Sequence, residues 1–165
     1  MFSSPEPLTG EHEIDAFDSG QAALDNWLRR RALANQSGGA SRTYVVCEAR
    51  RVVAFYALAS GAIVQASASG KFRRNMPEPI PVVVLARMAV DLEYQGRGLG
   101  RGMFRDAARR VVQAADTIGI RGIIVQALSE EARSLYIALG FDSSPADRMT
   151  LLVTLHDLSR ALEIG

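Results

Sequence analysis

Apolar and polar positions divide the chain into segments with two different periods. Residues 1–17 form a lead-in with one early strand at most. Leu24, Trp27, Leu28 and Ala32 then recur three and four residues apart, with Asp25, Arg29 and Arg30 between them. This spacing predicts a helix over about 21–35, with Asp18-Ser19 as N-cap candidates and Ser37-Gly38-Gly39-Ala40-Ser41 as its break. Thr43 to Glu48 and Val52 to Ala59 are β-branched and aromatic runs separated by the polar Ala49-Arg50-Arg51, a hairpin signal. Ile63 to Ala68 either extends the second strand or forms another. Ser69 to Pro79 reads as a basic loop, which Pro77, Pro79 and Pro81 hold extended and away from helix. Pro81 to Val90 is a continuous apolar run broken by Arg87, the pattern of a strand covered on both faces and central in its sheet.

From Leu99 to Ile118 the period returns to that of a helix. Leu99, Met103, Phe104, Ala107, Ala108, Val111, Val112 and Ala115 make one broad stripe, and Gly119 is the C-cap candidate. Gly122 to Leu128 is a second buried strand. Ser129 caps a helix with Ala132, Leu135, Tyr136 and Leu139 on one side, which ends at Gly140. Met149 to Leu155 is a last strand, and Leu158 to Leu162 a short tail. The order is α/β of the mixed α+β kind, with an antiparallel start and a late strand–helix–strand unit. No repeat or linker divides it, and 165 residues suit one domain, 1–165.

A net charge of +1 excludes a strong overall field for nucleic acid or membrane. The charge is uneven, however: most of the lysines and arginines lie in the first two thirds and the C-terminal part leans acidic, so a local basic face is expected. The one cysteine, Cys47, lies inside an apolar strand and reads as a buried thiol. There is no Cys/His cluster for zinc, no metal is expected, and His12 and His156 have no partners in view. No stretch approaches the roughly 20 apolar residues of a membrane span, and the N-terminus lacks a signal-peptide layout. A cytoplasmic protein without membrane contact is expected.

The chemistry is expected between the central strand and the long helix, in Val90-Asp91-Leu92-Glu93-Tyr94-Gln95-Gly96-Arg97-Gly98-Leu99-Gly100. A glycine-rich turn that opens a helix offers unpartnered N–H groups and a positive dipole end, and a ligand can approach its backbone closely. That is a diphosphate cradle. The nucleotide P-loop is excluded, because no Gly-Lys-Ser/Thr ending follows. The dinucleotide fingerprint is excluded by the glycine spacing and by the position of the strand in the chain.

Gln95-Gly96-Arg97-Gly98-Leu99-Gly100, after the strand Leu85-Ala86-Arg87-Met88-Ala89-Val90, resembles the acetyl-CoA signature of the GNAT family of N-acetyltransferases. Ala132, Tyr136, Gly140 and Phe141 match the family's late A-x-x-x-Y-x-x-x-G-F element in the same order. The resemblance implies a GNAT fold: a central, mostly antiparallel mixed sheet flanked by helices, with a parallel strand–helix–strand unit for acetyl-CoA. It implies that Met88, Ala89 and Val90 hold the thioester carbonyl by backbone groups. It assigns the pyrophosphate to Gln95, Gly96, Arg97, Gly98, Leu99, Gly100 and Arg101, and the leaving-group acid to Tyr136. No general base stands out among Asp91, Glu93, Glu130 and Glu131, which suit capping and solvation better. The α-amine of an esterified amino acid is weakly basic, so water can take its proton.

Leu24 to Arg29, Asn35 to Val45 and Arg73 to Val82 resemble, more narrowly, the acetyltransferase toxins of type II toxin–antitoxin pairs. That likeness implies acetylation of the α-amine on aminoacyl-tRNA, a block of translation, a homodimer, and a ribbon-helix-helix antitoxin. Arg29, Arg42, Lys71, Arg73, Arg74 and Arg87 are then the candidates for tRNA contacts. Arg29 to Arg31 equally suit an acidic antitoxin segment. Two other readings stay open: a small-molecule or protein N-acetyltransferase, and an acyl-CoA-binding module without turnover.

Overall fold

Seven strands form one mixed sheet in the order β1-β2-β3-β4-β5-β7-β6. The structure is a computed structural model and describes residues 1–164. The strands are β1 (Glu6–Pro7), β2 (Arg42–Glu48), β3 (Arg51–Ile63), β4 (Ile80–Val90), β5 (Gly122–Gln126), β6 (Asp142–Ser143) and β7 (Thr150–Thr154). The helices are α1 (Ala22–Trp27), α2 (Leu33–Gly38), α3 (Gly70–Arg73), α4 (Leu99–Ala114), α5 (Glu130–Ala138) and α6 (Leu155–Ile164). β4 stands fourth in the order, the central place that its apolar run predicts. It pairs in parallel with β5 over Val83–Leu85, while β1–β2, β2–β3, β5–β7 and β6–β7 are antiparallel. This is the mixed α/β architecture expected of the fold.

The chain forms two compact units, one of residues 1–59 with 86–107, the other of residues 60–85 with 108 onward. The first is built on Leu8, Phe17, Leu24, Leu28, Val45, Cys47, Val52 and Phe55, with Trp27 packed against them. Cys47 is the buried strand thiol expected, and burial pushes its pKa up to about 11. The core of the second holds Ala68, Phe72, Ile80, Val82 and Leu152.

Four local expectations are corrected. The first helix runs further than 35: α1 passes through a π-turn, Leu28–Ala32, into α2, and Gly39 closes it at φ +81°. Ser19 does not cap it, because its N–H and hydroxyl turn inward to the buried carboxylate of Asp25. The basic loop is not wholly extended. Ser69 caps the short helix α3 through the Phe72 N–H, and Phe72 is buried. The prolines begin only at Pro77, beyond that turn, so they do not prevent it. The long helix stops at Ala114, whose carbonyl takes the N–H groups of Thr117 and Ile118. Asp116, Thr117 and Gly119 are weak helix formers, and Gly119 lacks the positive φ of a C-cap.

Candidate acetyl-CoA site

After Val90 the chain makes a 3-10 turn, Leu92–Tyr94, and then the glycine loop. Gly96 and Gly98 sit at φ +79° and +82°, which L side chains rarely adopt. A Cβ at Gly96, Gly98 or Gly100 would meet nothing within 4 Å, so the space beside the loop at these positions is open rather than packed with protein. The first hydrogen bond of α4 runs from Gly102 N–H to the Gly98 carbonyl at 3.1 Å. The N–H groups before it have no acceptor in the helix. Open space, bare N–H groups and a helix N-terminus together fit a pyrophosphate. Met88, Ala89 and Val90 lie on the preceding strand, beyond its pairing with β5.

Asp91 caps the turn before the loop, as expected, and is tied to it by contacts that distant parts of the chain supply. Asp91 is 2% exposed. Its carboxylate accepts the N–H of Glu93 at 3.0 Å and of Asp18 at 3.1 Å, and faces Arg51 at 3.4 Å. Its own N–H donates to the Val53 carbonyl at 2.8 Å. The β2–β3 register shifts at Val46/Cys47, which leaves Val53 as the extra residue of a bulge. Gln95 Nε2 donates to the Val90 carbonyl at 2.9 Å, which ties the end of β4 to the start of the loop. Arg97 donates to the Glu93 carbonyl at 3.2 Å and lies 5.0 Å from the Tyr94 ring centroid, and Arg51 lies 5.4 Å from the same centroid. Tyr94 in turn donates to Glu48 at 3.0 Å. Arg101 is exposed on the first turn of α4. Asp91 and Glu93 thus support the loop, and Glu130 pairs with Arg148. None of the three is a free base.

Tyr136 belongs to the second unit. The end of α5 is a Schellman motif. Phe141 N–H reaches the Tyr136 carbonyl and Gly140 N–H the Ile137 carbonyl, both at 3.0 Å, with Gly140 at φ +104°. The rings of Tyr136 and Phe141 meet edge to face at 5.3 Å, the apolar contact that accompanies this motif. The tyrosine–glycine–phenylalanine spacing is therefore a helix stop that fixes the Tyr136 ring. That ring is buried, its hydroxyl makes no hydrogen bond among the described residues, and desolvation pushes its pKa up to about 12.

The basic candidates divide by what already holds them. Lys71 pairs with Asp157 at 2.5 Å. Arg29 donates to the Phe17 carbonyl at 2.8 Å and Arg42 to that of Gln36 at 2.7 Å. Arg87 lies over Trp27. Arg73 and Arg74 are exposed and make no side-chain hydrogen bond or ion pair among the described residues.

His12 does have partners, contrary to expectation. Its Nε2 lies 2.8 Å from Glu6, and its Nδ1 accepts the Thr9 N–H at 2.9 Å. Glu6, His12 and Cys47 bring three possible ligand atoms within 4.8 Å of one another. They suit a metal poorly: an Nδ1 that accepts the Thr9 N–H leaves the ring hydrogen on Nε2, and burial keeps Cys47 a thiol. No helix among the described residues is long and apolar enough to cross a membrane.

Comparison with known proteins agrees with this geometry. Residues 39–143 match the family described as "Acetyltransferase (GNAT) domain". The "tRNA-acetylating toxin" of Mycobacterium tuberculosis is 50% identical over 161 residues, 98% of this chain and 96% of that protein. The "Probable toxin TacT" of Sinorhizobium fredii is 31% identical over 86% of this chain and 84% of its own. Among solved structures, AtaT complexed with acetyl-methionyl-tRNAfMet superposes over 100% of both chains with a TM-score of 0.89 at 27% identity. AtaTR bound with acetyl-CoA does so over 96% of both with a TM-score of 0.82, again at 27%. The chain belongs to the GNAT family of acetyltransferases and is related, within it, to the toxins of toxin–antitoxin pairs.

Proposed function

We propose that this chain is a toxin that moves the acetyl group of acetyl-CoA to the α-amine of aminoacyl-tRNA. The observation that carries the acceptor is its end-to-end likeness, at 50% identity, to a tRNA-acetylating toxin. The open glycine cradle supports the donor. In this reading the amine nitrogen attacks the thioester carbon, the carbon–sulfur bond breaks, an amide forms, and the sulfur leaves as a thiolate that regains a proton from solvent. Backbone groups at Met88, Ala89 and Val90 hold the carbonyl, where fixed dipoles act on the charge that develops. Gln95, Gly96, Arg97, Gly98, Leu99, Gly100 and Arg101 seat the pyrophosphate. Tyr136 is the hydrogen-bond donor to the departing sulfur. A phenol near 12 stays protonated at working pH, and it stabilises the thiolate chiefly by that hydrogen bond. Water takes the proton of the amine.

Arg73 and Arg74 are the first candidates for tRNA phosphate contacts, since no partner among the described residues holds them. AtaT has been solved bound to the C-terminus of its antitoxin AtaR, at 26% identity to this chain. By that likeness a ribbon-helix-helix antitoxin is the expected neutralising partner, and the working form is a cytoplasmic homodimer of one acetyltransferase domain. Incubation with labelled acetyl-CoA and charged tRNA tests the proposal: label on the aminoacyl group is expected. Label on free amines or peptides with charged tRNA untouched would replace the toxin with an ordinary N-acetyltransferase.

A further inference from the structure

The central strand carries one charge, and no carboxylate among the described residues pairs with it. Arg87 interrupts the apolar run of β4 and is half-buried. A guanidinium withdrawn from water ordinarily has a carboxylate partner. Arg87 has none among the described residues: Nη1 donates to the Ala86 carbonyl at 2.8 Å, and the group lies 5.2 Å from the Trp27 ring centroid. Trp27 is itself stacked on Phe55, at 6.0 Å between centroids and 12° between planes. Phe55 is fully buried, whereas Trp27 and Arg87 are half-buried. The result is a column of two rings and one planar cation, anchored in the core, next in sequence to Met88.

A guanidinium held by an aromatic ring keeps most of its N–H fork for other acceptors. Arginine planes and aromatic rings are the surfaces on which proteins stack unpaired bases, and the fork matches phosphate. We propose that Arg87 and Trp27 seat the 3′-terminal nucleotide of the acceptor tRNA. Arg87 touches the nucleotide, and Trp27 is the positioning residue that holds the guanidinium. This inference rests on the aminoacyl-tRNA reading above. Because the amino acid is esterified to that terminal ribose, a seat beside Met88 brings the α-amine to the strand segment that holds the acetyl group.

Trp27 is the chain's single tryptophan, so its fluorescence reports on this seat alone. Titration of the full chain with the trinucleotide CCA should change that fluorescence saturably. Arg87→Lys keeps the charge and loses the plane. It should weaken CCA binding and raise KM for charged tRNA by about tenfold each, the order expected for one lost stacking contact. The loss should be several-fold larger on charged tRNA than on an amino acid methyl ester, which has no nucleotide. Trp27→Phe, which keeps a ring, should fall between wild type and Arg87→Lys in KM. An unchanged wild-type fluorescence signal, or equal losses on tRNA and ester, would overturn the seat. If the wild-type chain acetylates the methyl ester but no charged tRNA, the acceptor reading itself fails, whatever the fluorescence does.

Discussion

Tyr136 is placed by the residues that end its helix. Gly140 allows the turn, Phe141 returns its N–H to the Tyr136 carbonyl, and the two rings lock. Tyr136→Phe keeps that packing and removes only the hydroxyl. Turnover should fall at least tenfold while acetyl-CoA affinity, read by calorimetry, stays within about twofold; unchanged turnover would remove the residue from the mechanism. The same hydroxyl makes an alkaline prediction. Burial raises the phenol from 10.0 to about 12, so the folded chain binds this proton more tightly than the unfolded one. The stability this confers is complete below pH 10 and is lost as pH rises from about 10 to 12. Tyr136→Phe should lose less stability across that window, by up to about 2–3 kcal/mol, when unfolding is followed in denaturant. Tyr136 was legible in the sequence because its partners lie four and five residues away. The distant partners of Asp91 and the partner of His12 were not: Asp91, legible only as a cap, is held by Arg51, Val53 and Asp18, and His12 by Glu6 across a turn, pairings that the fold creates.

The strand–loop–helix element has a different logic, since its glycines serve both conformation and access. Gly98→Ala places a Cβ at φ +82° and a methyl group in open space where the pyrophosphate is proposed to sit. The strain alone is about 1–2 kcal/mol. Acetyl-CoA affinity should drop about tenfold or more, whereas Gly119→Ala, at ordinary φ in equally open space, should leave it unchanged. Equal affinities for all three proteins would remove the loop from the cofactor site. The element boundaries were legible where an apolar period and a cap agreed, as in β4 and α5. They slipped where a tertiary contact decided. Phe72 buries itself and is braced by Arg121, which donates to its carbonyl at 2.7 Å, so a helical turn forms ahead of the prolines in a stretch that reads as a loop. The bulge at Val53 has no local signal, because it is a property of the pairing between β2 and β3.

For the molecule as a whole, a net charge of +1 means that any attraction to tRNA must come from local arginines. Arg73→Ala with Arg74→Ala should raise KM for charged tRNA and flatten its dependence on log salt by about 1–2, leaving acetyl-CoA affinity unchanged. An unchanged slope would move the tRNA surface elsewhere. The order of strands and helices, the central strand and the cofactor loop could all be read from periodicity and spacing. The acceptor could be read only through the likeness of Leu24 to Arg29, Asn35 to Val45 and Arg73 to Val82 to the toxins, because no local pattern in those runs names an amine. The most direct measurement supplies labelled acetyl-CoA and a pool of charged tRNA and then analyses the aminoacyl groups. Acetyl label on the α-amine, lost when the aminoacyl ester is hydrolysed from the tRNA, is the predicted result. Label that accumulates on free amines or on protein, with every aminoacyl-tRNA unmodified, would contradict it.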